Sequence, residues 1–128
     1  MERKLFCELG PWAYRISVEK MCLLRRWRNA KEHVRFAKNR REEKLPVVIY
    51  RHNSLIRRRL GNVDMRLQEN KAVNLSLAAP KIIGIVIHPG ETFSFWELVG
   101  RTSAKKGYQE GLTIAKGRTK SGIGGGMC

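Results

Sequence analysis

Gly122-Ile123-Gly124-Gly125-Gly126-Met127-Cys128 is the stretch around which this chain is organised. Three consecutive glycines are costly to order, because glycine loses more backbone freedom on folding than any other residue. A fold carries such a run where the backbone needs positive φ or where another group must come close. Here the run leads to a cysteine. A glycine-rich turn before a cysteine is one way to set a thiol at a helix N-terminus, where the dipole and free N–H groups favour the thiolate. Two readings follow. Cys128 is presented on a glycine hinge as the catalytic or ligand half of a larger site, or it is a buried thiol beside a tight turn.

Working outward, the residues before this run are punctuated by Gly100, Gly107, Gly111, Gly117 and Gly122. That spacing leaves room only for short strands and turns, with Leu112-Thr113-Ile114-Ala115 reading as a strand. Further upstream, Ile82-Ile83-Gly84-Ile85-Val86-Ile87 has the near-continuous β-branched pattern of a strand buried on both faces, with Gly84 marking a bulge or close packing. His88-Pro89-Gly90 predicts a type II turn. Phe93 and Phe95 suit the inward face of a following strand, Trp96 suits either that strand's end or the start of a helical turn, and the three rings read as core.

Asp64 to Ala79 reads as a helix ended by Pro80. Asn62, Asn70 and Asn74 interrupt it. Asparagine inside a helix competes for backbone bonds, so its recurrence predicts bonded positions rather than a plain surface helix. Val47-Val48-Ile49-Tyr50 reads as a short strand after Pro46, and Arg51 to Ser54 as a loop. Arg57, Arg58 and Arg59 form the sharpest local candidate for anion binding, against the plainer reading of an exposed helix end. At the front, Gly10-Pro11 reads as a turn and Ser17 as a helix N-cap. Ile16, Leu23, Trp27, Ala30, Val34 and Ala37 recur at helical spacing, opposite Arg25, Arg26, Arg28, Lys31, Arg35 and Lys38. Such a stripe packs on its own domain or lies on an anionic surface. Asn39 to Lys44 is a polar helix end or linker.

The totals bound the function. A chain of 128 residues fits one domain with a modest core. Its formal net charge of +15 points to an anionic neighbour such as a cell-wall polymer, a membrane surface or a nucleic acid. The last is disfavoured, because no RNA or DNA motif is present and few aromatics lie outside the expected core. Three cysteines without close pairing are not a disulfide framework. No zinc-ligand spacing, phosphate loop or dinucleotide fingerprint occurs, so no metal or cofactor is implied. No apolar run is long enough to span a bilayer, and the N-terminus is not a secretory signal. The chain therefore reads as cytoplasmic or peripheral at a membrane.

Four segments in order resemble the VanW family, accessory proteins encoded with some glycopeptide (vancomycin) resistance clusters. They are Asn62 to Ala79, His88 to Trp96, Gly107-Tyr108 and Gly124 to Cys128. The resemblance covers residues 45–128, and its motif positions are Pro89, Gly90, Glu91, Phe93, Phe95, Gly124, Gly125 and Gly126. With this, the chain reads as an incomplete α+β domain, residues 1–44 a basic helical leader and 45–128 a mixed strand-and-loop VanW-type domain truncated at its C-terminal end. The resemblance also implies a bacterial source and a role in glycopeptide resistance or cell-wall metabolism, and it supplies no reaction. In the family the Gly-Gly-Gly-Met-Cys segment continues into a further helix and, later, a Glu-Arg-His-like segment. The chain thus reads as the N-terminal part of a longer protein, with the missing C-terminal half as its partner. Two alternatives stand beside this role: a thiol-dependent hydrolase or transferase acting on cell-wall peptide through Cys128, and a basic nucleic-acid-binding module.

Overall fold

The computed structural model describes residues 5–59, 61–115 and 117–127, with the backbone alone at Ala115. It has helices and one two-stranded antiparallel sheet, an α+β arrangement. Contacts divide the chain into two units, one running up to Arg35 with Gly90–Thr92, the other comprising Phe36–Pro89 and the residues from Phe93 on.

The first unit is built on helix α1, Pro11–Lys31. Pro11 opens it rather than making a turn: its missing N–H would be unpaired at that position, and its fixed φ suits a first helical residue. Ser17 is not the cap. It lies inside the helix and its hydroxyl donates back to the Ala13 carbonyl at 2.9 Å. A short 3-10 turn, Phe6–Glu8, packs against the helix start, and Ala13 is buried. The helix ends earlier than the stripe predicts. His33 adopts φ 50, Val34 N–H bonds the Asn29 carbonyl at 3.0 Å and His33 N–H bonds that of Ala30 at 3.2 Å. These are the paired bonds of a left-handed helix stop. Val34 and Ala37 therefore fall outside the helix.

The second unit is organised by helix α2, Met65–Ile82. Asp64 caps it, its carboxylate accepting from Arg66 N–H at 2.9 Å. Pro80 does not end it. Ile83 N–H still reaches the Ala79 carbonyl at 3.0 Å, and the last turn is held because Leu77, Ala78 and Ile82 pack into the core. A proline so close to a helix end forfeits one bond, and burial of Ile82 offsets it.

The doubly buried strand over Ile82–Ile87 does not form. Ile82 is helical, Ile83 and Ile87 are exposed, and Gly84 turns at φ 79. What remains is one isolated bridge between Ile85 and Arg40, with Val86 N–H bonding the Asn39 carbonyl at 2.9 Å and Arg41 N–H that of Gly84 at 2.8 Å. The expected close packing at Gly84 is present: a Cβ there would collide with the Arg41 carbonyl. Asn39–Arg41 is thus an extended partner rather than a helix end. Val47–Tyr50 makes no strand either, and Ile49 is 90% exposed. β-branched side chains favour a strand only where a partner and a buried face exist.

Helix α3, Phe95–Val99, replaces the strand expected at Phe93–Phe95. Ser94 caps it, accepting from Glu97 N–H at 3.4 Å. The core is small: Ala78, Val99 and Tyr108 are buried, with Leu77, Ile82, Phe95 and Met127 packed on them. Trp96 makes an edge-to-face contact with Phe95 at 5.1 Å but stays exposed, as does Phe93. Of the three rings read as core, Phe95 alone fills that place. The sheet is a hairpin of β1, Glu110–Ala115, and β2, Arg118–Ile123, in register from Glu110 opposite Ile123 to Ala115 opposite Arg118. Gly117 supplies the positive φ that the tight connection requires.

Candidate functional site

Two asparagines four apart on α2 lie on one helix face. Asn74 is fully buried, and its side-chain amide acts as a piece of backbone. Its Oδ1 accepts from Gln109 N–H at 2.7 Å, while its Nδ2 donates to the carbonyls of Gln109 and Gly125, both at 3.0 Å. Asn70 Nδ2 donates to the next carbonyl, Glu110, at 2.8 Å. Together they tie α2 to the entry of β1, and Asn74 also ties it to the glycine run. The bonded role expected for Asn70 and Asn74 is thus present. Their partners lie 35 to 51 residues away from them in sequence.

The run itself is a closed turn, not a hinge. Gly124 N–H donates to the Gln109 carbonyl at 2.9 Å and Gly125 N–H to that of Gly122 at 3.0 Å. Gly125 and Gly111 are both buried and touch through their backbones, so a Cβ on either would collide with the other's carbonyl. A Cβ on Gly124 would lie 2.6 Å from Thr102 Cβ, and one on Gly126 3.1 Å from Lys71 Cγ. Close approach explains the triple glycine, and φ of 76 at Gly124 and 80 at Gly126 adds a conformational reason. Met127 then packs on the core. Cys128, the expected thiol, lies outside the described residues.

The two motif segments meet at this core through Phe95 of one and Met127 of the other. Above it, Lys81 Nζ donates to the Val99 carbonyl at 3.2 Å and lies 5.6 Å from the Tyr108 ring centroid. Tyr108 belongs to the Gly107-Tyr108 segment of the resemblance, which gives it no chemical role, and Lys81, a lysine in the last turn of a helix, carries no distinctive signal. Beside the glycine turn an open cleft of about 340 Å³ is lined by Arg66, Asn70, Ala104, Tyr108, Gln109, Glu110 and Ile123.

The remaining expected positions are dispersed. Pro89 and Gly90 form an exposed tight turn with φ 79 at Gly90, and Glu91 is half-buried and engaged in an interaction. Arg57 pairs with Glu69 at 2.8 Å, both more than half exposed, and the Arg58 N–H reaches Gln68 Oε1 at 3.4 Å. The arginine triplet is therefore fastened to the first turns of α2, with one of its charges matched; Arg59 is exposed. Among the described residues no cluster of three His, Cys, Asp or Glu side chains could hold a metal ion, and no helix is long and apolar enough to cross a membrane.

Residues 70–128, which begin at Asn70 and contain the whole glycine turn, match the family model described as VanW like protein. The chain is 42% identical over 87 residues to the Vancomycin B-type resistance protein VanW of Enterococcus faecalis, a match covering 68% of this chain and 32% of that relative. It is also 42% identical over 60 residues to the uncharacterized protein YoaR of Bacillus subtilis, covering 47% of this chain and 20% of that one. The chain thus matches about a third or less of the length of these curated relatives. No solved structure matches it.

Proposed function

Since residues 70–128 belong to the VanW family, we propose that the protein serves glycopeptide (vancomycin) resistance through the cell wall. Residues 45–128 form the domain that carries the role, and residues 1–44 are its basic leader. The observation that supports this reading is the 42% identity over 87 residues to a protein named for vancomycin resistance. The test is expression of the encoding gene in a glycopeptide-susceptible bacterium, with the inhibitory concentration of vancomycin and the composition of wall precursors as readouts. A change in either supports the role; no change in both contradicts it.

A second reading is favoured by one structural observation. The turn Gly124–Gly126 is bonded on both sides and Met127 is seated in the core, so the backbone is fixed up to the residue before Cys128. A fixed approach suits a nucleophilic thiol in a hydrolase or transferase acting on wall peptide, because positioning supplies much of the barrier lowering. Iodoacetamide labelling across pH tests it. A Cys128 thiol reacting well below the ordinary cysteine range of about 8.5 supports the nucleophile, and one titrating at or above that value removes it.

A further inference from the structure

Helix α1 has an apolar strip that none of the described residues of its own unit covers. At 100° per residue, Trp12, Ile16, Leu23 and Trp27 share one narrow face. With Leu24 they floor an open groove of about 760 Å³ whose rims include Arg15 and Lys20. Trp12 is 73% exposed and Trp27 63%. The two indoles stand at opposite ends of the strip, about 22 Å apart by helical rise.

The charges beside the strip identify what it fits. Helix α1 carries six basic side chains and one acidic. Arg15 and Arg26 follow one edge of the strip with Glu19 between them and the indoles, a single carboxylate that is itself engaged in an interaction, and Lys20 and Lys31 follow the other, so the rims carry a net positive charge. At the C-terminal end Lys31 Nζ lies 5.3 Å from the Trp27 ring centroid, so cation and indole are held together. An apolar ridge on a protein partner would satisfy the strip and leave two rows of cations facing outward. A phospholipid surface satisfies both: acyl chains meet the strip, phosphates meet the rows, and indoles rest at the boundary. The helix is not apolar enough to cross a bilayer, so lying along one is the arrangement its chemistry allows.

We propose that α1 docks on an anionic membrane surface by its Trp12–Trp27 face, with Arg15, Lys20, Arg26 and Lys31 on lipid phosphates. This rests on α1 alone and is independent of the resistance role.

The test is tryptophan fluorescence and co-sedimentation of the protein with phosphatidylcholine vesicles, with and without phosphatidylglycerol. Trp96→Phe serves as the background, leaving only Trp12 and Trp27 as reporters. Phosphatidylglycerol vesicles should shift the emission to the blue and pull the protein down; neutral vesicles should do neither. Neutralising Arg15 and Lys20 together to Gln should weaken binding about twenty-fivefold, at roughly fivefold for each cation near an anionic surface. Trp12→Ser with Trp27→Ser should abolish it. Tyr14→Ser with Met21→Ser, on the opposite face of the same helix, should leave it unchanged and guards against mere loss of the helix. The proposal is overturned by equal binding to both vesicle types, by no binding, or by an equal loss from the Tyr14 and Met21 pair. Binding to soluble polyphosphate without any emission shift from vesicles would assign the charge to a polymer and overturn it too. So would a stable dimer that buries Trp12 and Trp27 and excludes vesicles.

Discussion

Replacing Asn74 by alanine removes three hydrogen bonds at once from a fully buried position: one accepted from Gln109 N–H and two donated to the Gln109 and Gly125 carbonyls. A net bond contributes roughly 0.5–1.5 kcal/mol, and a buried group left unpaired costs about 1–3 kcal/mol. The Gln109 carbonyl keeps Gly124 N–H; the Gln109 N–H and the Gly125 carbonyl lose this partner. The expected loss is about 3 kcal/mol. Asn70→Ala is the internal control, since it removes a single exposed bond to the Glu110 carbonyl and should cost about 1 kcal/mol or less. Urea unfolding followed by far-ultraviolet circular dichroism separates them. With a slope of about 2 kcal/mol/M, Asn74→Ala should lower the midpoint by about 1.5 M and Asn70→Ala by about 0.5 M or less. Equal shifts, or a larger one for Asn70→Ala, would refute the claim that a single side-chain amide joins α2, β1 and the glycine turn.

Three other substitutions probe backbone geometry. Gly125→Ala should cost at least about 2 kcal/mol, because the added methyl meets the Gly111 backbone and no flexible side chain can yield. Gly122→Ala, whose methyl would meet only Thr113, Cγ2 at 3.4 Å and Oγ1 at 3.8 Å, should leave stability unchanged or raise it by up to about 1 kcal/mol; thermal melts in which the two behave alike would remove the close-approach argument. His33→Gly should stabilise the end of α1 by about 0.5–1 kcal/mol, the left-handed strain relieved less the added glycine entropy. A thermal midpoint that stays the same or falls would contradict that reading of the helix stop.

Much of the architecture was legible where a pattern is local. The body of α1 follows from its apolar spacing, α2 from the span beginning at Asp64, and β1 from Leu112–Ala115 between glycines; its partner β2 carries no strand pattern of its own. What failed depended on partners distant in sequence. Val47–Tyr50 and Ile82–Ile87 both have strand composition, but composition does not supply a neighbour, and the second is broken by a positive φ at Gly84. Pro80 reads as a stop because its local effect is unfavourable; the packing of Ile82 on the core that outweighs it belongs to the tertiary structure. The end of α1 at His33 was invisible because a left-handed stop is expected at glycine or asparagine.

The site divides in the same way. The triple glycine announced a close approach, and Gly111, the residue it approaches, stood among the punctuating glycines without being paired to it. Asn70 and Asn74 announced bonds without naming acceptors. The meeting of Phe95 and Met127 on one core could not be read from either segment alone, because each contributes a single half-buried side chain to a cluster shared with α2.

The central claim is that the glycine run is a built turn, fixed by Asn74 and Gly111, and its most direct test is the backbone order of that run. Nitrogen-15 relaxation should give order parameters near 0.85 for Gly124, Gly125 and Gly126, matching α2, with lower values in the exposed Val47–Tyr50 segment. Values below about 0.6 across the three glycines would show a loose tether and contradict the account.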